Sequence, residues 1–269
     1  MAAPVTLIGS PVSPYVRKVL AVCALKGVEI TLDPISPMMG NDDFERLSPL
    51  RRVPVWIEGD LTLCDSSVIV QYIEETRPGP SLWPADPAER AKARWLEEFA
   101  DTRLFDVLGW RLFFQIALKP RFFGTEADPA VLEKARDVEL PQILGYLEGR
   151  MPETGFLFGD LSIADLSLAP AFANAGAVQV NVDPGRWPRL SAWLERMEAE
   201  TPLGPLNTLA RTLMRTPLAA HRDRLPEFGL AAASRSWAGE TPRRGPMTPD
   251  LSSGTGAFPQ AAGGATVSS

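Results

Sequence analysis

Residues 77–87, RPGPSLWPADP, hold four prolines and separate two stretches of different hydrophobic patterning. Proline has no N–H to give to a helix or a sheet ladder, so neither pattern runs through this segment. Upstream, the apolar run Val5, Leu7, Ile8 reads as a strand that enters a tight loop. Ser13 then stands at an N-cap position and Pro14 at the first helical position. Val16, Val19, Leu20, Cys23 and Ala24 recur at helical spacing, and Gly27 closes the helix. Val28, Ile30 and Leu32 alternate with polar residues as a half-buried strand, and a short helix is expected around Phe44 to Leu47. Val53 to Ile57 and Leu61 to Leu63 read as two strands joined by the turn Glu58-Gly59-Asp60. Asp65 and Ser66 open a further helix with the apolar face Val68, Ile69, Tyr72 and Ile73. The order β-α-β-α-β-β-α predicts a small mixed sheet with helices on its faces.

Downstream the period becomes helical throughout. Asp86, Pro87 and Glu89 start a helix that continues through Ala91, Trp95 and Phe99 to about Leu118. Asp128-Pro129 starts another, which Pro141 is expected to kink or divide. Ser162 and Asp165 form a capping box, and Trp187, Leu190, Trp193, Leu194 and Met197 mark one more amphipathic helix. No strand pattern appears after Leu63. The expected organisation is an α/β domain over residues 1–78, a linker over 79–87, an all-helical domain over 88–230 and a tail over 231–269. The tail is rich in Ala, Gly, Ser, Thr and Pro and is expected to be disordered, with Trp237 and Phe258 as its aromatic anchors.

The formal net charge of −6 and a pI near 5.0 argue against a nucleic-acid binder, which needs a basic face. Every apolar run is interrupted well short of membrane-spanning length, and the first residues lack the basic n-region of a signal peptide. Cys23 and Cys64 form neither a disulfide framework nor a CxxC pair. The single histidine, His221, has no second imidazole with which to share a metal and is expected to be solvated. A cytoplasmic protein without a metal site is expected. Within it, Ser13 places a hydroxyl at the positive end of a helix, a position that stabilises a carboxylate, a phosphate or a thiolate.

Four motifs sharpen that reading. SPYVRKV at 13–19, RRVPVW at 51–56, CDSSVIVQYIEE at 64–75 and LSIADLSLA at 161–169 occur in this order. Together they resemble the cytosolic glutathione transferases, over about residues 4–215. The resemblance implies a thioredoxin-like N-terminal domain, an all-α C-terminal domain, glutathione as co-substrate and a homodimer. It also implies site residues. Val53-Pro54 is similar to the family's cis-proline turn, whose backbone pairs with the cysteinyl part of glutathione. Asp65 and Ser66 match the acid-serine pair that receives the γ-glutamyl ammonium and carboxylate. Arg52 falls where relatives carry a basic residue for the glycine carboxylate, with Arg51 as the neighbouring alternative.

Ser13 matches the serine that donates a hydrogen bond to the glutathione sulfur in serine-type members, and Ser10, which ends the first strand, is the second candidate. Serine cannot form the mixed disulfides of cysteine-type relatives, so conjugation to a small apolar electrophile is favoured over reduction. Phe105, Trp110 and Phe114 are candidates for the second-substrate pocket. Tyr15 and Cys23 read as packing residues and Arg17 as an ion-pair partner. Isomerisation, dehalogenation and peroxide reduction use the same thiolate, and a non-catalytic binding or assembly module is the alternative of a different class.

Overall fold

The computed structural model describes residues 4–246 and 248. Its N-terminal unit comprises β1 (Val5–Ile8), α1 (Pro14–Lys26), β2 (Ile30–Asp33), α2 (Asp42–Leu47), β3 (Val55–Glu58), β4 (Leu61–Cys64) and α3 (Ser66–Thr76). β1 runs parallel to β2, with Leu7 opposite Leu32, and antiparallel to β3, with Leu7 opposite Trp56. β3 and β4 form the hairpin expected at Glu58-Gly59-Asp60, with Gly59 at φ 58°. Leu7, Ile8, Leu32, Val55 and Trp56 are inaccessible to solvent, and because the successive pairs Leu7/Ile8 and Val55/Trp56 point to opposite sides, both faces of the sheet are covered there.

The helical unit follows the proline-rich segment: α4 (Pro87–Phe99), α5 (Lys119–Phe123), α6 (Pro129–Lys134), α7 (Leu140–Glu148), α8 (Ile163–Ala177), α9 (Pro188–Glu200), α10 (Leu203–Met214) and α11 (His221–Arg224). Asp86 caps α4 by accepting from the Ala88 and Glu89 N–H groups. Between α4 and α5 the chain stays helical in widened π turns, over Ala100–Leu104 and Asp106–Leu118. Pro120 and Pro141 fall in the first turns of α5 and α7, where a missing N–H is tolerated. A π segment, Ala135–Glu139, precedes Leu140 and Pro141, and the backbone stays helical through it, so the helix is widened there rather than divided.

The capping box of α8 is formed: Asp165 accepts from Ser162 N at 3.0 Å and Ser162 Oγ at 2.7 Å. It also accepts from Trp193 Nε1 at 3.0 Å and Leu157 N at 3.1 Å, so one buried carboxylate organises α8, α9 and the preceding loop.

α1 packs against α3 on one side and α8 on the other. It is therefore buried nearly all round, Arg17 and Lys18 included. One hydrophobic core runs from the sheet through α1 into α8 and α9. Among the described residues no helix is long and apolar enough to cross a membrane.

Three sequence expectations need correction. The disordered tail does not begin at residue 231. Ala231–Ala232 form β5, which pairs in parallel with β2 and gives the sheet the order β4-β3-β1-β2-β5. Trp237 is buried, and Asn41 N donates to its carbonyl at 2.9 Å. A strand of two alanines has no periodicity to read; it is held by its ladder to β2, and the residues after it are tied down by Asp33, which binds Ser236 and Trp237. Residues 247 and 249–269 of that tail, Phe258 with them, lie outside the described residues. His221 is buried rather than solvated, with Nε2 3.2 Å from the Thr216 carbonyl. Arg17 forms no ion pair among the described residues; its guanidinium is spent on oxygen acceptors of loops and α8.

Candidate active site

A cleft of about 1740 Å³ opens between the two units. One end is built by the loop between β1 and α1. Gly9 has φ 143°, and a Cβ there would come within 2.6 Å of Val16 and 2.8 Å of Val53, so only glycine lets this turn approach both. Ser10 N donates to the Ile35 carbonyl and Ser13 N to the Ser10 carbonyl, each at 2.8 Å.

Arg17 holds the loop from below. It donates to the carbonyls of Pro11 at 2.7 Å, Val12 at 3.2 Å and Pro170 at 2.5 Å, and to Asn174 Oδ1 at 2.7 Å. Asn174 Nδ2 closes the ring on the Val12 carbonyl at 2.9 Å. Burial pulls the Arg17 pKa down to about 9, which leaves it protonated at neutral pH. A buried cation that forms no ion pair among the described residues thus lies under the loop that carries both serines.

The two serines differ. Ser10 is buried, and its Oγ accepts from Val12 N at 3.3 Å, so the loop already uses it. Ser13 is the N-cap of α1 yet makes no side-chain cap bond; it is half-buried and lines the cleft. Its hydroxyl is therefore available at the positive end of a helix.

Arg52 and Val53 line the cleft beside Ser13. The Val53–Pro54 peptide bond is cis and directly precedes β3. Of the adjacent arginines, Arg52 is exposed on the cleft. Arg51 turns inward at φ 49°, paired with Glu45 at 2.9 Å and bound to the Gly40 carbonyl at 2.7 Å.

Asp65 and Ser66 are not among the lining residues; they head α3 at its border. Asp65 takes φ 81° with ψ 130°, a strained conformation outside the left-handed well, and its Oδ1 accepts from Ser67 N at 2.9 Å and Val68 N at 3.4 Å. Their link to the cleft is a buried network. Lys18 Nζ donates to Ser67 Oγ at 2.9 Å and Ser66 Oγ at 3.4 Å, pairs with Glu97 at 2.6 Å and lies 3.7 Å from Asp101. Ser67 Oγ donates to Asp101 Oδ2 at 3.0 Å, and Asp101 lines the cleft. Burial raises the Asp101 pKa, against the opposing pull of Lys18.

The floor is aromatic. Phe105, Trp110 and Phe114, the candidates for the second-substrate pocket, all line it. Tyr15 stacks on Phe105 and donates its hydroxyl to the Asp101 carbonyl at 3.1 Å. Burial raises the Tyr15 pKa well above its ordinary value, so it stays a neutral donor. Cys23 lies in the core with its thiol pushed up to about 12. Cys64 is half-buried, donates to the Leu47 carbonyl at 3.0 Å, and also has a raised pKa from burial. Neither thiol is a thiolate near neutral pH.

Sequence reasoning missed Lys18, Glu97, Asp101 and Asn174. They sit in runs that read as amphipathic helix, and only the folded arrangement brings their charges together.

The comparisons with known proteins agree with this architecture. Residues 7–81 match the model of the glutathione S-transferase N-terminal domain, and residues 129–196 that of the C-terminal domain. A glutathione S-transferase of Hyoscyamus muticus is 32% identical over 192 residues, 69% of this chain and 89% of the relative. A rat protein named maleylacetoacetate isomerase is 29% identical over 60% of this chain and 73% of its own length. Among solved structures, human glutathione S-transferase T1-1 in its apo form superposes with a TM-score of 0.69 at 25% identity, covering 86% of this chain and 93% of that one. With both domain models matched around the cleft that Ser13 and Val53 line, the chain belongs to the glutathione S-transferase family.

Proposed function

We propose that this protein binds glutathione at the Ser13 end of the cleft and activates its thiol for attack on an apolar electrophile over the aromatic floor. The reading is supported above all by the Ser13 hydroxyl, which caps α1 by position but makes no cap bond and lines the cleft. A hydrogen bond from it to sulfur, added to the helix dipole, favours the thiolate. Glutathione itself is the nucleophile. Its cysteinyl part pairs with the Val53 backbone at the cis-Pro54 turn, in the manner of an added strand. Arg52 meets the glycine carboxylate. Ser66 and the start of α3 receive the γ-glutamyl carboxylate, and Asp65 Oδ2 the ammonium.

The test is the pKa of the bound thiol, read from thiolate absorbance against pH. It is expected below the free value of about 8.5 and to rise in Ser13→Ala, with Ser10→Ala unchanged. An ordinary thiol pKa that Ser13→Ala does not move overturns the reading; a shift carried by Ser10→Ala moves the role to Ser10.

A second reading, isomerisation through a reversible glutathione adduct, uses the same thiolate and is favoured by the similarity to an isomerase-named relative. Release of substrate isomer with glutathione regenerated separates it from conjugation. The proposal includes a cytoplasmic setting, in keeping with two free cysteines. It also includes a homodimer, which sedimentation at micromolar concentration tests.

A further inference from the structure

The cleft has two chemically different ends joined by its aromatic floor. Ring contacts run along it from Tyr15 to Phe105 at 4.8 Å, on to Trp110 at 5.5 Å and to Phe114 at 5.4 Å; behind the floor, Phe114 meets Phe123, which does not line the cleft, at 6.3 Å. The series starts two residues from Ser13 and ends two residues from Arg121. At that far end three elements converge on one short turn. Arg121 donates from Nη1 to the Met214 carbonyl at 2.9 Å and from Nη2 to the Thr216 carbonyl at 3.0 Å. His221 Nε2 lies 3.2 Å from the same Thr216 carbonyl. Arg215 sits between the two gripped carbonyls, and Arg121, Arg215 and His221 all line the cleft.

The charge at this end is positive. Burial lowers the His221 pKa, so the imidazole adds no charge at neutral pH. Arg121 is bound only to carbonyls, and Arg215 is exposed with no ion pair among the described residues. The carboxylates among the lining residues are engaged elsewhere: Asp101 with Ser67 and Lys18, Asp106 with Arg111 at 3.0 Å and Arg103 at 3.4 Å. An exposed arginine is ordinarily only solvated. Here it stands beside a second cation at the end of an apolar trough, in a chain whose net charge is −6. An apolar wall lowers the local dielectric and strengthens a charge pair formed there.

We infer that the second substrate is an acid: an electrophile with an apolar body whose far end carries a carboxylate, received by Arg215 with Arg121 behind it. The inference rests on the proposed glutathione reading for the reacting end alone. With an aryl chloride, the thiolate forms the C–S bond and chloride leaves with the C–Cl electron pair. The thiol proton has already passed to solvent.

The probes are N-(4-chloro-3-nitrobenzoyl) derivatives of glycine, 4-aminobutanoate and 6-aminohexanoate, each beside its terminal primary amide. The ring is constant in the series, so only reach and terminal charge vary. Binding is measured by calorimetry with glutathione present, and chloride release is followed separately. At one chain length or more the acid is expected to bind at least about tenfold tighter than its amide, the scale of one charge-assisted hydrogen bond. Arg215→Ala should bring that ratio close to one, and Arg215→Lys should retain part of it. Equal binding of acid and amide at every length, binding of neither, or a preference that survives Arg215→Ala overturns the inference. An acid preference lost in Arg215→Ala without chloride release above the uncatalysed rate upholds the acid site and rejects the transferase reading instead.

Discussion

The carboxylate of Asp33, at the end of β2, accepts a 2.8 Å hydrogen bond from the backbone N–H of Trp237, 204 residues further along the chain. Ser236 Oγ adds bonds of 3.0 and 3.2 Å, and Arg222 pairs with the same carboxylate at 2.7 Å. Asp33 is fully buried, so these donors are what make its charge tolerable there. Ending the chain at residue 230 removes all but Arg222. A loss of roughly 3 kcal/mol or more is expected from the unpaired carboxylate oxygens, before the lost burial of Trp237 is counted. Urea denaturation of the truncated and full chains measures it, and coincident midpoints would reject the role given to this segment.

At the head of α3, Ser66→Ala and Asp65→Ala should each weaken glutathione binding by about 1.5–3 kcal/mol, the range for a hydrogen bond to a charged group. Ser66 is buried against Lys18 while Asp65 is exposed. The serine variant should therefore lose some stability as well, and the aspartate variant less. Calorimetric titration with glutathione decides; unchanged affinity in both variants would remove this helix start from the site.

Arg17→Met leaves the acceptors at Pro11, Val12, Pro170 and Asn174 without their donor, and on the order of 3 kcal/mol of stability should go with it. Arg17→Lys should recover little, because a point ammonium cannot reproduce a planar fork that reaches two elements at once. Recovery of wild-type stability by the lysine variant would show that charge alone matters here.

His221 gives a pH dependence of definite sign. Burial lowers its folded-state pKa below the ordinary 6.5. The unfolded chain then takes up a proton first as pH falls, so its contribution to stability is complete above the unfolded value and is lost on acidification through the folded one. The slope cannot exceed about 1.4 kcal/mol per pH unit for one proton. Melting temperatures of wild type and His221→Gln at pH 7 and pH 5 should converge toward the acid. A gap that stays constant between the two pH values would show that His221 does not titrate in this window.

How much of this was legible in the sequence depended on how local the cause was. The capping box Ser162/Asp165, the turn at Gly59 and the cap at Asp86 are short-range hydrogen-bond devices, and each appears where its residues stand. β1 to β4 were legible as short apolar runs bounded by turn residues, because Leu7, Ile8, Leu32, Val55 and Trp56 all pack into the core.

Arg17 was misread because a charged residue at helical spacing normally marks a solvated or ion-paired face. Nothing local says that α8 will cover it and supply carbonyls instead. The network of Lys18, Glu97 and Asp101 is hidden for the same reason, since its members come from different helices. β5 carries no pattern at all, and the aspartate that ties down the segment after it, Asp33, lies far upstream. The Ser13 position was legible as a cap; that its hydroxyl is left unused by the helix was not.

The fifth strand also bears on the order in which the molecule can be completed. β1 to β4 and their helices are encoded within the first 76 residues, but β5 and the partners of Asp33 are encoded at Arg222 and beyond Leu230. Translation proceeds at about 5–20 residues per second, so on the order of ten seconds separates synthesis of the sheet from arrival of its last strand. Through that interval the β2 edge is unpaired and the Asp33 carboxylate lacks its final partners. An emerging chain therefore carries an open sheet edge for as long as the helical unit is being made, and the edge is covered only when the end of the chain comes back to it.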